Sequence, residues 1–257
     1  MQTSLLDSLH LIACSHDSHD AAGRRCLDRL VQRISELTGS EVLHASVSGR
    51  EPTLAELAQS LPTRRSGVVM PLLLSTGYDL DFQLRRAAAG FRDRSETAGE
   101  DPVSELQVCG SLGPSVRLAR LQVRRLEEAG YRAGDAVILG ATGVTVADGL
   151  AAAEQQQAYL QSLLGVPVGL GYGSSAASPS IEEAVQKARL EGAERVAIVS
   201  YLLASGPLQD RLAEAEAEVL TTPLLQTDRD EEVEVVAELA ISRAVDYVRK
   251  FLPASVS

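Results

Sequence analysis

Residues 68–77 read VVMPLLLSTG, and residues 197–206 read AIVSYLLASG. Both stretches begin with the short apolar run that is typical of a buried strand. Both then end in two leucines, a small residue, a hydroxyl residue and a glycine. This likeness predicts an internal repeat, in which one half of the chain is a duplicate of the other. The alternative interpretation is a chance resemblance between two buried strands.

Strand-like runs alternate with longer segments of helical period along the chain, as in strand–helix units around a parallel sheet. The alternation predicts an α/β fold of two tandem flavodoxin-like halves, residues 1–130 and 135–257, related by a pseudo-two-fold. Strands are predicted near residues 9–15, 41–47, 67–74, 106–109, 136–140, 166–171, 195–202 and 218–220. Helices are predicted at 21–37, 54–61, 83–94, 115–129, 146–164, 181–191, 208–215 and 231–251.

Composition narrows the class of protein. The formal net charge is −11, which disfavours nucleic acid as a partner because a phosphate backbone would be repelled. No segment approaches the roughly 18 uninterrupted apolar residues of a membrane span, so no membrane association is expected. Three irregularly spaced cysteines favour a reducing compartment over a disulfide framework. Without a signal-like start, we expect a cytoplasmic protein.

The first predicted strand ends in the run SHDSHD at residues 15–20. Ligands of open parallel sheets bind at the carboxyl ends of the strands, so His16 and His19 stand where chemistry is expected. The serine and aspartate residues of the run also suit the N-terminus of the helix that follows, as caps. Residues this close together on one turn cannot form a hydrolase triad. The other two histidines, His10 and His44, fall within strands and are interpreted as structural.

The third predicted strand ends in a second polar turn. Gly77 permits a sharp bend, and Asp79 and Asp81 bring two carboxylates to the same edge. In a flavodoxin-like order strands one and three are neighbours, so the two turns should face each other across one crevice. For Asp81, helix capping is the preferred interpretation. The glycine-rich run at 169–173 lacks the spacing of a phosphate-binding loop.

These stretches together resemble the sirohydrochlorin chelatase family, the class II tetrapyrrole chelatases, in its long duplicated form. The likeness is carried by LIACSH at 11–16, EPTL at 51–54, VMPLLLSTGY at 69–78, LGP at 112–114, YLLASG at 201–206 and DRL at 210–212. The family's first catalytic histidine falls on His16, but its second falls on Asp79. The second half carries Thr142 and Gln209 where histidines would be expected, so that half is interpreted as degenerate.

The resemblance implies a divalent metal, Co2+, Fe2+ or Ni2+, as a substrate and no organic cofactor. His16 and Asp79 would act as metal ligands and catalytic groups. An imidazole or a carboxylate can both ligate such an ion and accept a pyrrole proton. The candidate substrate-binding residues are Ser15, His19, Ser75, Gly77 and Asp81, with Arg85 and Arg86. The two arginines follow the Asp79 turn and suit the carboxylates of such a substrate, and a solvated helix face is the alternative interpretation of both.

Three interpretations of function stay open. The favoured one is a chelatase that inserts Co2+ or Fe2+ into a carboxylate-rich tetrapyrrole in siroheme or cobalamin biosynthesis. The second is a tetrapyrrole or metal carrier without turnover, since only one family histidine is retained. The third is an unrelated small-molecule binder on a common fold. The duplicated form favours a monomer, because its two halves would take the place of two subunits.

Overall fold

A computed structural model describes residues 3–16, 20–47, 51–75, 78–99, 103–143, 147–174, 177–227 and 229–251. Strands and helices alternate through these ranges, after a short 3-10 helix at Thr3–Leu5. The first half contains β1 (His10–Ser15), α1 (Ala21–Thr38), β2 (Val42–Ser46), α2 (Leu54–Ser60), β3 (Gly67–Pro71), α3 (Tyr78–Thr97), β4 (Leu106–Val108) and α4 (Val116–Glu128). The second contains β5 (Ala136–Ala141), α5 (Ala147–Leu164), β6 (Val168–Tyr172), α6 (Ile181–Leu190), β7 (Val196–Tyr201), α7 (Pro207–Ala213), β8 (Val219–Leu220) and α8 (Asp230–Phe251).

Each half forms its own parallel sheet of four strands, in the order β2-β1-β3-β4 in the first half and β6-β5-β7-β8 in the second. The predicted α/β class and the two tandem halves with parallel sheets are therefore confirmed. The pseudo-two-fold relation between the halves stays a prediction. The strand order reverses between β1 and β3, so the carboxyl ends of these two strands flank the point where such folds bind ligands.

Buried apolar side chains hold the helices on each sheet. In the first half Ile12 and Val69 of the sheet pack in one cluster with Leu84 and Phe91 of α3. In the second half Ile138 and Ile198 pack with Ile181 of α6 and Leu212 of α7. A fully buried side chain of this size contributes about 1.5–3 kcal/mol, so these clusters dominate the stability of each sheet and its helices.

One glycine of the run at 169–173 has a packing role. A Cβ atom placed on Gly171 would lie 2.9 Å from the Cα atom of Ile181, which is the first residue of α6. Only a glycine therefore lets β6 and α6 approach this closely. The helix itself starts with a capping box between Ser180 and Glu183. Gly171 thus serves helix packing in the structure.

Two helices, α4 and α8, are each grouped with the sheet of the other half of the sequence. One unit consists of Met1–Asp17, Leu27–Leu112 and Val233–Ser257, and the other of Ser18–Cys26 and Gly113–Glu232. The first sheet is thus grouped with α8, and the second sheet with α4. In the first unit Tyr247 of α8 donates a 3.0 Å hydrogen bond to Gln107 of β4. The boundary at residues 130–135 was predicted from the repeat, and it remains a prediction about the repeat. The compact units do not follow that boundary.

A buried polar network accounts for the placement of α4 in the second unit. Gln122 of α4 and Gln156 of α5 are both fully buried. Gln156 donates a 2.8 Å hydrogen bond to Gln122, and its own side-chain oxygen accepts one from the amide of Ser115. Buried amides are costly unless their hydrogen bonds are made, so the network fixes one packing of these helices.

Candidate active site

The carboxyl ends of β1, β2 and β3 meet at one edge of the first sheet. The Leu72 amide donates a 2.7 Å hydrogen bond to the carbonyl of Cys14, and the Val47 amide donates a 2.9 Å bond to the carbonyl of Ser15. These two bonds hold the last residues of β1 from both sides. His16 follows directly and is exposed at this edge. The predicted neighbourhood of strands one and three is confirmed by the pairing of β1 with β3.

The predicted partners of His16 are only partly described. His19 and Gly77 lie outside the described residues. Asp79 is in the first turn of α3, and its side chain is likewise outside the described part. Ser75 follows β3 and is half-buried. The structure therefore brings the β1 and β3 turns to one edge, and the pairing of His16 with Asp79 stays a prediction.

The described ranges contain no cluster of three or more histidine, cysteine, aspartate or glutamate side chains that could hold a metal ion. Cys14 and Cys109 also lie near this edge, but burial raises the pKa of each thiol to about 12. A thiol that remains protonated is a poor metal ligand. His16 is therefore the described side chain at this edge that best suits a metal ion.

Ser15 takes part in a side-chain network that sequence reasoning missed. Its hydroxyl is buried and shares a 2.9 Å hydrogen bond with Nε2 of His44, on β2. Nδ1 of His44 lies 3.4 Å from Oδ1 of Asp28, on α1. With the Nδ1 proton directed at Asp28, Nε2 accepts the hydroxyl proton of Ser15. The network ties the residue before His16 to two neighbouring elements.

The register of β1 and β2 explains this contact. Side chains alternate along a strand, so His44 and Ser46 lie on one face of β2. The register pairs Ser15 with Ser46, which brings His44 within reach of Ser15. The interpretation of His44 as structural omitted this neighbour. His10 has the structural role expected of it, with a 3.1 Å hydrogen bond to the Pro62 carbonyl and edge contact with Phe91.

Asp20, the last aspartate of the SHDSHD run, caps α1. Its two carboxylate oxygens accept backbone hydrogen bonds from Ala22 at 3.1 Å and Gly23 at 3.0 Å. These bonds lower the pKa of Asp20, since they favour the ionised carboxylate. The capping role expected for this residue is confirmed, and Asp17 and Ser18 lie outside the described residues.

The two candidate arginines differ in their surroundings. Asp81 lies within α3 and not before it, so its interpretation as a helix cap was wrong. Arg85 donates a 2.7 Å hydrogen bond to Asp81 one turn earlier, and this carboxylate is the main reason why the pKa of Arg85 is raised. Tyr247 contributes to the same shift. Arg86 instead lines a cavity between α2 and α3. Of the pair, Arg86 is thus the residue placed at a cavity.

In the second half, the family resemblance places a histidine at position 209. The residue there is Gln209, and it has a structural role. Its side-chain oxygen accepts a 2.7 Å hydrogen bond from Ser200 of β7, and its amide donates a 2.9 Å bond to the Thr221 carbonyl after β8. Thr142 follows β5 and is exposed. These contacts agree with a second half whose residues maintain the fold.

No helix in the described residues is both long and apolar enough to cross a membrane. A search among curated proteins found no match to the chain. Among solved structures, SirB from Bacillus subtilis with Fe3+ is 17% identical, with a TM-score of 0.70 over 95% of this chain and 96% of that one. The sirohydrochlorin chelatase SirB from B. subtilis subspecies spizizenii in complex with cobalt is 13% identical, with a TM-score of 0.67 over 95% and 97%.

A third similar structure is CbiX, described as the terminal enzyme for biosynthesis of siroheme in denitrifying bacteria. It is 16% identical, with a TM-score of 0.60 over 91% of this chain and 98% of that one. At these identities the likeness shows a shared chelatase fold. The CbiX family model matches residues 10–129 and again residues 136–248. Since the two matches together span most of the sequence, the chain belongs to the CbiX family.

Proposed function

We propose that this protein inserts a divalent metal ion, Co2+ or Fe2+, into sirohydrochlorin or a closely related carboxylate-rich tetrapyrrole. The observation that carries the proposal is His16, exposed directly after β1 at the edge where the fold binds its ligands. Family membership and the solved SirB structures with Fe3+ and cobalt support the same chemistry.

Metal insertion needs a group that can bind the incoming ion and accept a proton from a pyrrole nitrogen. A divalent ion replaces two pyrrole N–H protons, so the balance is one cation taken up and two protons released, without a change in oxidation state. An imidazole nitrogen can hold the incoming ion and can accept a leaving proton once the ion has moved on. We assign both roles to His16, with Asp79 as the opposing ligand and proton acceptor.

A carboxylate in place of a second histidine changes the selectivity of such a site. Carboxylate oxygen is a harder ligand than imidazole nitrogen, and both suit borderline divalent ions such as Fe2+ and Co2+. Metal–ligand distances of about 2.1 Å would be expected for such ligands. His19, Ser75 and Gly77 would form the surroundings of the ion and the ring, whereas the buried hydroxyl of Ser15 is bonded to His44.

The test compares metal insertion, followed by the absorbance of sirohydrochlorin with Co2+, for the parent chain and three variants. We expect the parent to exceed the protein-free rate, Asp79→His to exceed the parent, and both Asp79→Ala and His16→Ala to fall to the protein-free rate. Calorimetric titration with Co2+ should show weaker binding to His16→Ala than to the parent. Parent and variant rates equal to the protein-free rate would disprove the enzyme proposal.

A carrier function is the second candidate, favoured by the contacts of Gln209. The position where the family resemblance places a histidine holds Gln209, whose side chain bonds with Ser200 and with the Thr221 carbonyl. A carrier would bind the tetrapyrrole in the parent and in the Asp79 variants alike. Its presence would leave the insertion rate unchanged, which separates it from a chelatase in the same assay.

A further inference from the structure

A cavity of about 460 Å³ lies between α2 and α3. The buried side chains of Leu54 and Ala58 from α2 and Leu84 from α3 form its apolar floor. Gly90 of α3 also lines it, and no atom lies within 4 Å of the position that a Cβ on Gly90 would take. The volume falls in the range of small-ligand sites, about 300–1,000 Å³, and is too small for a whole tetrapyrrole.

Three polar side chains stand around this apolar floor: Gln59 of α2 and Gln83 and Arg86 of α3. None of the three makes a side-chain hydrogen bond or ion pair with another residue in the described ranges. The other arginines of α3 are all engaged. Arg85 binds Asp81, Arg92 binds Glu96 and Glu105, and Arg94 donates to the carbonyls of Ala58 and Leu61.

The chemistry of this set suits a carboxylate attached to a carbon skeleton. A guanidinium presents paired N–H donors that match the two oxygens of a carboxylate. Side-chain amides supply further donors, and the leucine and alanine floor suits the apolar body of the same ligand. A free carboxylate with no apolar part would leave that floor unused.

The cavity also reaches the edge that carries His16. Val47 lines the cavity, and its amide donates a 2.9 Å hydrogen bond to the carbonyl of Ser15. Ser15 directly precedes His16. At the other end, the hydrogen bonds of Arg94 to Ala58 and Leu61 join the end of α2 to α3. One lining residue of the cavity is therefore bonded to the residue before His16.

We propose that the cavity between α2 and α3 binds one carboxylate-bearing edge of the tetrapyrrole, with Arg86 paired to the carboxylate. This inference rests on the proposed function, because it assigns part of that same substrate. It names Arg86, Gln59 and Gln83 as substrate-binding residues, and it separates Arg86 from Arg85, whose partners within the protein are already in place.

The first test is a fluorescence titration with metal-free sirohydrochlorin of the parent, Arg86→Gln and the matched control Arg92→Gln on the same helix. Loss of one charge-assisted carboxylate pair should raise the Kd of Arg86→Gln about tenfold. Arg92→Gln should bind as the parent does. With the carboxyl groups of the probe esterified, the parent and Arg86→Gln should bind equally, because no carboxylate remains for the guanidinium.

The second test fills the cavity with Gly90→Leu. Leucine has a higher helix propensity than glycine, and the space at the Cβ position is open, so the variant should melt at or above the temperature of the parent. Its Kd for the metal-free tetrapyrrole should nevertheless rise at least tenfold, because the side chain occupies the place of the ligand. A stable protein with weaker binding is a result that misfolding does not give.

The outcomes separate this inference from the proposed function. If the parent binds the tetrapyrrole, and either Arg86→Gln or Gly90→Leu binds it equally well, the cavity is not the subsite and the inference is overturned. The proposed function then stands. If the parent neither binds the tetrapyrrole nor inserts metal into it, both proposals are overturned.

Discussion

The hydroxyl of Ser15 lies 2.9 Å from Nε2 of His44, which connects the last residue of β1 to the middle of β2 beside the candidate metal ligand. The imidazole is 20% exposed, and its other nitrogen lies 3.4 Å from Asp28. A hydrogen bond to the residue before His16 restricts the positions that the His16 backbone can adopt. His44 is therefore a positioning residue for His16 in the proposed site.

We predict that His44→Ala weakens Co2+ binding about tenfold, in the lower part of the range for residues that orient metal ligands. The reason is that Ser15 loses its side-chain partner, so His16 is held less firmly. Calorimetric titration with Co2+ measures the change. His10→Ala serves as the control, because His10 lies at the opposite end of β1 against Pro62 and Phe91. Equal Co2+ affinity in the parent and in His44→Ala would contradict the role given to His44.

A second prediction concerns acid stability through Asp135. Burial alone would raise the pKa of Asp135, but hydrogen bonds from the Arg132 amide and Arg195 Nε, each 2.9 Å, outweigh it. The folded pKa is therefore lower than the unfolded value of about 3.9. The stabilisation is complete above that unfolded value and is lost as pH falls through the folded pKa.

Asp135→Asn should consequently lower the free energy of unfolding by about 1 kcal/mol at pH 7. The difference from the parent should shrink as the pH falls below about 4, because the carboxylate of the unfolded parent becomes protonated there while the folded protein keeps its charge to lower pH. Urea unfolding at a series of pH values measures it. A difference that stays constant down to pH 2 would show that the charge of Asp135 contributes nothing.

A third prediction concerns the buried ion pair of the second unit. Arg125 and Glu232 are each only 2% exposed, and the closest atoms of the pair lie 3.5 Å apart. Removal of Arg125 leaves the buried carboxylate of Glu232 with a longer 3.8 Å contact to Arg229, and breaking a buried pair costs about 3–5 kcal/mol. We expect this loss for Arg125→Met and a smaller loss for Arg125→Met combined with Glu232→Leu. Urea unfolding of the three proteins decides it, and a double variant less stable than Arg125→Met would refute the explanation.

A fourth prediction concerns thiol reactivity. Burial raises the pKa of Cys14 and Cys109 to about 12, so both thiols stay protonated between pH 7 and 9. Since the thiolate is the reactive form, iodoacetamide should modify both only slowly at pH 8 in the folded protein. Mass spectrometry of the native and urea-unfolded chain measures the difference at each cysteine. Rapid labelling of native Cys14 would contradict its burial.

The fold could be predicted from the sequence because the buried faces of strands and of helices each impose their own spacing of apolar residues. Val68 and Val69, for example, mark a strand buried on both faces, and the structure places them in β3. The position of His16 followed from the same argument. The difference between Arg85 and Arg86 was also accessible, since Asp81 stands four residues before Arg85 on one helix face.

Other features depend on contacts that a sequence pattern does not encode. The apolar face of α4 shows that this helix packs on a sheet, but the face does not show which sheet. In the structure, a hydrogen bond between the buried amides of Gln122 and Gln156 joins α4 to α5 of the second half. The network of Ser15, His44 and Asp28 likewise joins three elements. It depends on the register between β1 and β2 and on the position of α1.

The grouping of α4 with the second sheet and α8 with the first makes the two halves of the sequence interdependent. A chain cut between residues 130 and 135 gives two fragments, each of which lacks the helix that its sheet is grouped with. Neither fragment is a complete folding unit, but the pair could reconstitute the fold by complementation.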